Sequence, residues 1–433
     1  MTVTATRVPD HAVRRLTATL YGYALLTDLV LLYPLYALLF ADTGLSVGQI
    51  SSLFVIWSTS AILLEVPSGA WADAVSRRLL LCLAPLVTAG GYALWVLLPS
   101  YPAFALGFLL WGAGGALSSG ALEALVFTEL DRGGAAGRYA RITGRAKTAG
   151  VLGALASSLL AGPVLLAGGY PAVGAASVLA CLLAAAVATR FPEHRGRADP
   201  DDAQPVRTGR DDRIPADPHE DLGWVASLRA GLAEARAVPP VRSALLLVAA
   251  VAAVWGALDE YTPLLARDTG VDVSAVPFLL LLIWVGVTVG GLLAPAGERL
   301  TNRGYAALLG VAALALAGGA LIDHPAGFVL VAGAFGAFQL ATVLADARLQ
   351  ARISGPSRAT VTSLAGMATD VTVIAVYAGY GLVATAAGNA VAFAAAASPY
   401  LALAVLSVTA GRPGSRVGRA AAEPAGLTGR TVP

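Results

Sequence analysis

Residues 65–78 read Glu-Val-Pro-Ser-Gly-Ala-Trp-Ala-Asp-Ala-Val-Ser-Arg-Arg. Apolar runs flank this stretch, residues 47–69 leading in and residues 79–98 leading out. Each run has the roughly 20 residues that a helix needs to cross a bilayer. Only a few residues separate the two runs. The stretch is therefore a tight turn between two spanning helices, charged by Asp73, Arg77 and Arg78.

Composition agrees with a membrane chain. Of 433 residues, 57% are hydrophobic and 13% charged, against about 25% charged in an ordinary soluble domain. A soluble fold of this composition would lack the polar surface to cover itself. The net charge of +2 argues against nucleic acid as a partner. Lys147 is the only lysine. Cys82 and Cys181 both fall inside apolar runs, which argues against a disulfide framework or a metal site. The first apolar run carries Asp28 and Pro34 and leads into further spans, so it reads as a retained helix rather than a cleaved signal.

Working outward from the turn gives about twelve spans. In the first half they cover residues 16–40, 47–69, 79–98, 103–125, 143–167 and 172–189. In the second half they cover 243–265, 276–295, 305–322, 327–345, 359–384 and 391–408. The predicted fold is an all-α integral membrane protein of two six-helix bundles, residues 1–189 and 243–410. Residues 190–242 are a linker, polar and without apolar period at first. It ends in an amphipathic helix over 222–238, of the kind that lies in the membrane interface. Residues 411–433 are a polar tail.

Arginine fixes the orientation. It occurs at the N-terminus, in the turn at 65–78, in the segment after span four, in the linker, in the turn after span eight, in the segment after span ten and in the tail. The alternate turns carry almost none, Arg267 between spans seven and eight being the exception. The positive-inside rule then places both termini, the linker and the 65–78 turn in the cytoplasm. Arg141-Ile142-Thr143-Gly144 before span five is echoed by Arg352-Ile353-Ser354-Gly355 before span eleven. Such parallel halves mark transporters that rock two bundles around a central site.

On this topology, residues 69–78 resemble the loop two–three signature of the major facilitator superfamily. Gly69, Asp73, Arg77 and Arg78 match the pattern; Ser76 stands where the family usually has Gly, and Ala74 where it often has Arg. Glu65-Val66-Pro67-Ser68 is similar to a bacterial, drug- or metabolite-exporter-like subgroup. The resemblance implies that Asp73, Arg77 and Arg78 hold the halves together on the cytoplasmic side and release them as the protein changes state. Other signatures are incomplete. Phe108 stands where proton-coupled drug exporters carry an Arg before Gly112-Ala113-Gly114. In span five, Gly153, Gly162-Pro163 and Gly168-Gly169 only partly meet the antiporter pattern and equally suit close packing through small residues, as in Ser158-x-x-x-Gly162.

Ionisable groups inside spans are costly and mark function. Asp28 and Asp370 fall near mid-span and are the leading proton or substrate candidates, followed by Asp259 and Glu260 toward the outer side. The alternative for each is a packing carboxyl hydrogen-bonded to a neighbouring helix. Glu65, Glu123 and Arg145 lie near the cytoplasmic ends of their spans and are candidates for ion pairing there, as are Asp346 and Arg348. Tyr21, Tyr33, Tyr36, Trp255, Trp284 and Tyr377 are candidate cavity aromatics, or interface and packing residues. All four histidines lie outside the spans and no phosphate loop is present, so no catalytic, metal, cofactor or ATP-driven chemistry is expected. The expected function is secondary transport of a small organic molecule across the bacterial cytoplasmic membrane by a monomer. Protons are the expected coupling ion, the bilayer the surrounding partner and export the expected direction. An importer, a uniporter or a non-transporting receptor on the same scaffold are the alternatives.

Overall fold

The computed structural model describes residues 10–193, 238–353 and 358–410, with backbone alone for residues 10, 65–74, 358–360 and 409–410. The linker helix expected at 222–238, all but its last residue, lies outside the described residues, as do the tail and Ser354 and Gly355 of the echoed segment. Among the described residues the regular elements are all helical. Nine helices there are long and apolar enough to cross a membrane, and Val276–Leu292 is a shorter apolar one.

The first half begins with α1 (Asp10–Asp28), α2 (Tyr36–Asp42), α3 (Val47–Ala74), α4 (Arg77–Leu97) and α5 (Tyr101–Arg132). A 3-10 turn leads into α6 (Tyr139–Ala188). At about 1.5 Å per residue a straight α6 would be about 75 Å long. It is not straight: Gly168 and Gly169 leave helical geometry, and Gly169 has φ +64° and ψ −166°. Only glycine takes that conformation without strain. The second limb therefore folds back, and Ile142 from one limb and Ala188 from the other share one buried cluster.

The second half holds α7 (Pro239–Asp259), α8 (Thr262–Asp268), α9 (Val276–Leu292), α10 (Ala294–Gly297) and α11 (Asn302–Leu321). It continues with α12 (Gly327–Arg352), α13 (Arg358–Ala387), α14 (Asn389–Ala396) and α15 (Ser398–Ala410). Packing repeats between the halves. The contacts α1 to α6, α3 to α5, α4 to α5 and α4 to α6 have counterparts in α7 to α13, α9 to α12, α11 to α12 and α11 to α15. Between halves, α3 packs on α13 and α6 on α9. Small residues permit the close approaches: Gly286 and Gly290 of α9 face the backbone of Ala332 and Gly336 of α12, and Gly162 faces the Ser274 carbonyl across the halves.

Two expected continuous spans are broken. The first stops at Asp28 and resumes at Tyr36. Pro34 has no N–H to donate. The freed Leu32 N–H donates to the buried Ser177 Oγ at 3.0 Å, and turn bonds such as Tyr33 N–H to the Val30 carbonyl satisfy the rest. The second break lies between Asp259 and Thr262. Irregular backbone at membrane depth is tolerated where protein surrounds it or a cavity adjoins it. Higher in α7, the Tyr400 hydroxyl enters the helical ladder. It accepts from the Trp255 N–H and donates to the Val251 carbonyl, each at 2.9 Å.

The core is lopsided. One cluster joins residues of both halves at the end of the bundle away from Asp10 and Ala410, the far end, from Leu31 and Phe54 to Tyr261 and Tyr380, and continues inside the second half to Tyr305 and Leu344. At the terminal end, burial separates into two clusters. One contains Leu16, Leu125 and Phe191, the other Val241, Leu349 and Val361. The halves are thus packed together at the far end and apart at the terminal end.

Candidate functional site

A cavity of about 660 Å³ opens where the halves separate. Its walls come from α1, α4, α5 and α6, with Trp284 of α9 contributed by the second half. The α6 face toward it carries Thr143, Lys147, Gly150, Ala154 and Ser158, which recur at helical spacing. Asp28, at the end of α1, lies against the bare face of Gly150, where a Cβ would fall on its carboxylate. Glu123 enters from α5 and Tyr33 from the broken part of the first span. Thr27, Thr88, Ser118 and Ser119 add hydroxyls. Among the described residues, the side chains of Asp28, Glu123 and Lys147 have no ion-pair or hydrogen-bond partner. The Tyr92 and Thr143 hydroxyls, also on the wall, are buried without a partner.

A second cavity of about 400 Å³ lies between α3, α5 and α13 and shares Trp111, Gly115 and Ser119 with the first. Asp370 lines it beside Trp57 and Ser58. A cluster of aromatic rings backs Trp111 on the wall that the two cavities share. Trp111 stacks on Trp57 at 4.9 Å, and Phe108 lies against Trp95 at 4.8 Å.

The far end is closed by contacts between halves. Arg267 Nη1 meets Asp42 Oδ1 at 2.8 Å. The Tyr261 hydroxyl meets Ser51 Oγ at 2.8 Å. Each cross-contact is braced inside its own half. Tyr170 donates to Asp42 Oδ2 at 2.6 Å, and Tyr261 stacks on Tyr380 at 3.7 Å. Asn389 donates to Asp268 Oδ2 at 2.7 Å. The two arms are a sequence repeat: Leu38-Leu39-Phe40-Ala41-Asp42-Thr43-Gly44 matches Leu264-Leu265-Ala266-Arg267-Asp268-Thr269-Gly270. In both, a short helix ends at the Asp and a glycine with positive φ follows, +95° at Gly44 and +81° at Gly270. Arg267, the one arginine outside the alternation of basic turns, is thereby accounted for by its partner.

Residues 21–376 match the family model described as the Major Facilitator Superfamily. The chain belongs to the major facilitator superfamily. Solved structures agree on the fold. A bacterial homologue of the human lysosomal transporter Spinster, crystallised inward-facing and unoccupied, aligns with TM-score 0.66 at 18% identity, over 93% of this chain and 95% of that one. A single-residue variant of the nucleoside transporter NupG aligns with TM-score 0.74 at 11% identity, over 92% and 100%. A D-xylose–proton symporter aligns with TM-score 0.62 at 16% identity, over 92% and 97%. No curated protein gives a significant sequence match. Membership makes this a multi-pass membrane protein of a transporter family rather than an enzyme.

The superfamily turn can be followed in part. Gly69 and Asp73 lie at the end of α3, and their side chains, with that of Glu65, are outside the described residues. Arg77 reaches the Ala124 carbonyl at 3.3 Å and Thr128 Oγ1 at 3.0 Å, both on α5 of its own half. Arg78 is exposed. Ser76, which replaces the family glycine, caps α4 by accepting from the Leu79 N–H at 3.1 Å. Its hydroxyl also donates to Glu193, which accepts the Arg77 N–H at 2.7 Å. A serine there supplies two capping contacts that glycine lacks.

The structure brings Asp28, Glu123, Tyr33 and Trp284 to the main cavity and Asp370 to the adjoining one. Glu260 is buried, and it and Asp259 sit within Coulombic reach of Tyr33 and Tyr377 without lining either cavity. Tyr36 and Tyr377 belong to the far-end core. The Tyr21 hydroxyl is buried without a partner, and Trp255 is fixed by Thr342 at 3.1 Å. Glu123 and Arg145 do not pair with each other, and Arg348 lies over the Tyr305 ring at 4.2 Å. Phe108, in place of the exporter Arg, is fully buried among rings. Lys147 and the Asp42–Arg267 pair were missed by sequence reading. A lone lysine in an apolar span and the Leu-Leu-x-x-Asp-Thr-Gly repeat were the available signals.

Proposed function

We propose that the protein is a secondary active transporter that moves a small organic molecule by alternating access. In this reading twelve spans form two six-helix bundles, residues 1–189 and 243–410, with both termini and the linker in the cytoplasm of a bacterial cell. The terminal end is then the inner side, and the conformation is open inward. The supporting observation is the lopsided core: one cluster across both halves at the far end, two separate clusters at the other, and a cavity between them. A hinge of that kind turns into its opposite when the far-end contacts break and the 65–78 turn docks, the role assigned to Gly69, Asp73, Arg77 and Arg78.

Asp28 is the proposed exchange site, binding a proton on one side and a cationic group on the other. A single carboxylate cannot hold both, so the two compete and flow in opposite directions, which gives proton-coupled export. The titratable groups that share its cavity are Glu123, Lys147, Tyr23, Tyr33, Tyr92, Tyr139 and Cys181. Asp370, in the adjoining cavity, is the second proton candidate, and Asp259 and Glu260 follow.

The test is flux of a compound panel through purified protein in liposomes with an imposed pH gradient. Movement that follows the gradient and is lost in Asp28→Asn supports the proposal. Movement indifferent to pH removes the proton coupling, and no movement of any compound removes the transporter reading.

A further inference from the structure

The chain holds one lysine, Lys147, and the fold turns it into the same cavity as Asp28. The two are held on neighbouring surfaces of α1 and α6. Asp28 lies against Gly150, and Lys147 precedes Gly150 by three residues, about 4.5 Å along the helix axis at 1.5 Å per residue. A lysine ammonium on its flexible stem reaches well beyond that, yet Asp28 and Lys147 do not pair. Glu123 stands one helical turn after Ser119 on α5, toward the terminal mouth, also unpaired. By the run of the helices Lys147 and Glu123 lie at similar depth, each about nine residues from the connection between α5 and α6, with Asp28 deeper beside Gly150. All three side chains are exposed to this open cavity, where water solvates them, and opposite charges held apart on one wall offer complementary anchors to a ligand that carries both.

We infer that the cavity binds a small amphoteric molecule, with an ammonium group at Asp28, an acidic group at Lys147 and an aromatic or apolar body against Trp111 and Trp284. This rests on the transporter reading and specifies its substrate class. The size of the cavity fits it. The volume of about 660 Å³ lies in the range of small-molecule sites, roughly 300–1,000 Å³. The wall carries two carboxylates against one ammonium, so a ligand with an additional cationic group is accommodated and one with two acidic groups is not.

The experiment uses three compounds that share a phenyl body: phenethylamine, 3-phenylpropionate and phenylalanine. Their binding to the purified full chain is measured by titration calorimetry up to millimolar concentration. The wild type is expected to bind phenylalanine at least tenfold more tightly than either single-charge compound. Lys147→Gln should abolish the advantage over phenethylamine. Asp28→Asn should abolish the advantage over 3-phenylpropionate. Monodisperse elution and an unchanged melting temperature establish that the variants are folded. Phenethylamine binding as tightly as phenylalanine, an unchanged ratio in Lys147→Gln, or no binding of any of the three overturns the inference. Flux of single-charge compounds in the liposome panel would then leave the transporter reading standing, so the two failures are distinguishable.

Discussion

Among the described residues the far-end closure has two polar side-chain contacts of different worth, and the less conspicuous one should matter more. The Arg267–Asp42 pair is partly exposed, at 32% and 40%. Solvent screens it to about 0.5 kcal/mol. The Tyr261–Ser51 hydrogen bond is buried, with Tyr261 at 0% and Ser51 at 3% exposure. A buried hydrogen bond contributes about 1 kcal/mol net. Tyr261→Phe should then raise the ratio of far-open to far-closed protein about fivefold, Asp42→Asn about twofold, and both together about tenfold. Only the Asp42→Asn effect should vanish in 1 M salt, where the screening length is about 3 Å. Ser51→Ala in the Tyr261→Phe background should add nothing, because both remove one bond. The assay is a spin-label distance distribution between Ser100→Cys and Asp323→Cys, exposed sites at the far ends of the two halves. Cys82→Ala and Cys181→Ala remove the native thiols. A Tyr261→Phe population identical to wild type, or a Ser51→Ala effect that adds in full, would refute this account.

Other substitutions probe the site and its scaffold. Gly150→Ala places a methyl on the Asp28 carboxylate and should cut transport more than tenfold, whereas Gly144→Ala on the same helix, with open space around it, should be silent; liposome flux reads both. Gly290→Val drives a side chain into the Gly336 carbonyl and should destabilise the protein by about 1–3 kcal/mol, seen as a lower melting temperature in detergent. Glu193→Ala removes an acceptor of the Arg77 N–H and of Ser76 and should cost about 1 kcal/mol; an unchanged melting temperature would show that water replaces it.

Much of the fold was legible from local pattern. Apolar run length and arginine placement are properties of a segment against its solvent, and the membrane enforces them one helix at a time, so the spans and the family turn could be read directly. Helix interruptions were harder. The run of residues 16–40 predicts one continuous helix, whereas α1 ends at Asp28, because the break depends on Ser177, 145 residues from Leu32, to satisfy the freed Leu32 N–H. Residue type also failed to separate cavity aromatics from packing ones. Tyr33 and Tyr36 are three apart, yet one lines the cavity and the other is sealed in the core, since the intervening backbone is not helical.

The sequence by itself determined that this chain crosses a membrane many times in two similar halves and carries a superfamily turn, since hydropathy and charge act locally. Tertiary structure alone decided which charges share a cavity and which close the far end. Asp28 meets Gly150 and shares a cavity with Lys147 through the packing of α1 on α6, and Asp42 meets Arg267 across 225 residues. Such partnerships depend on how rigid helices rotate and cross, which the periodicity of one helix does not encode.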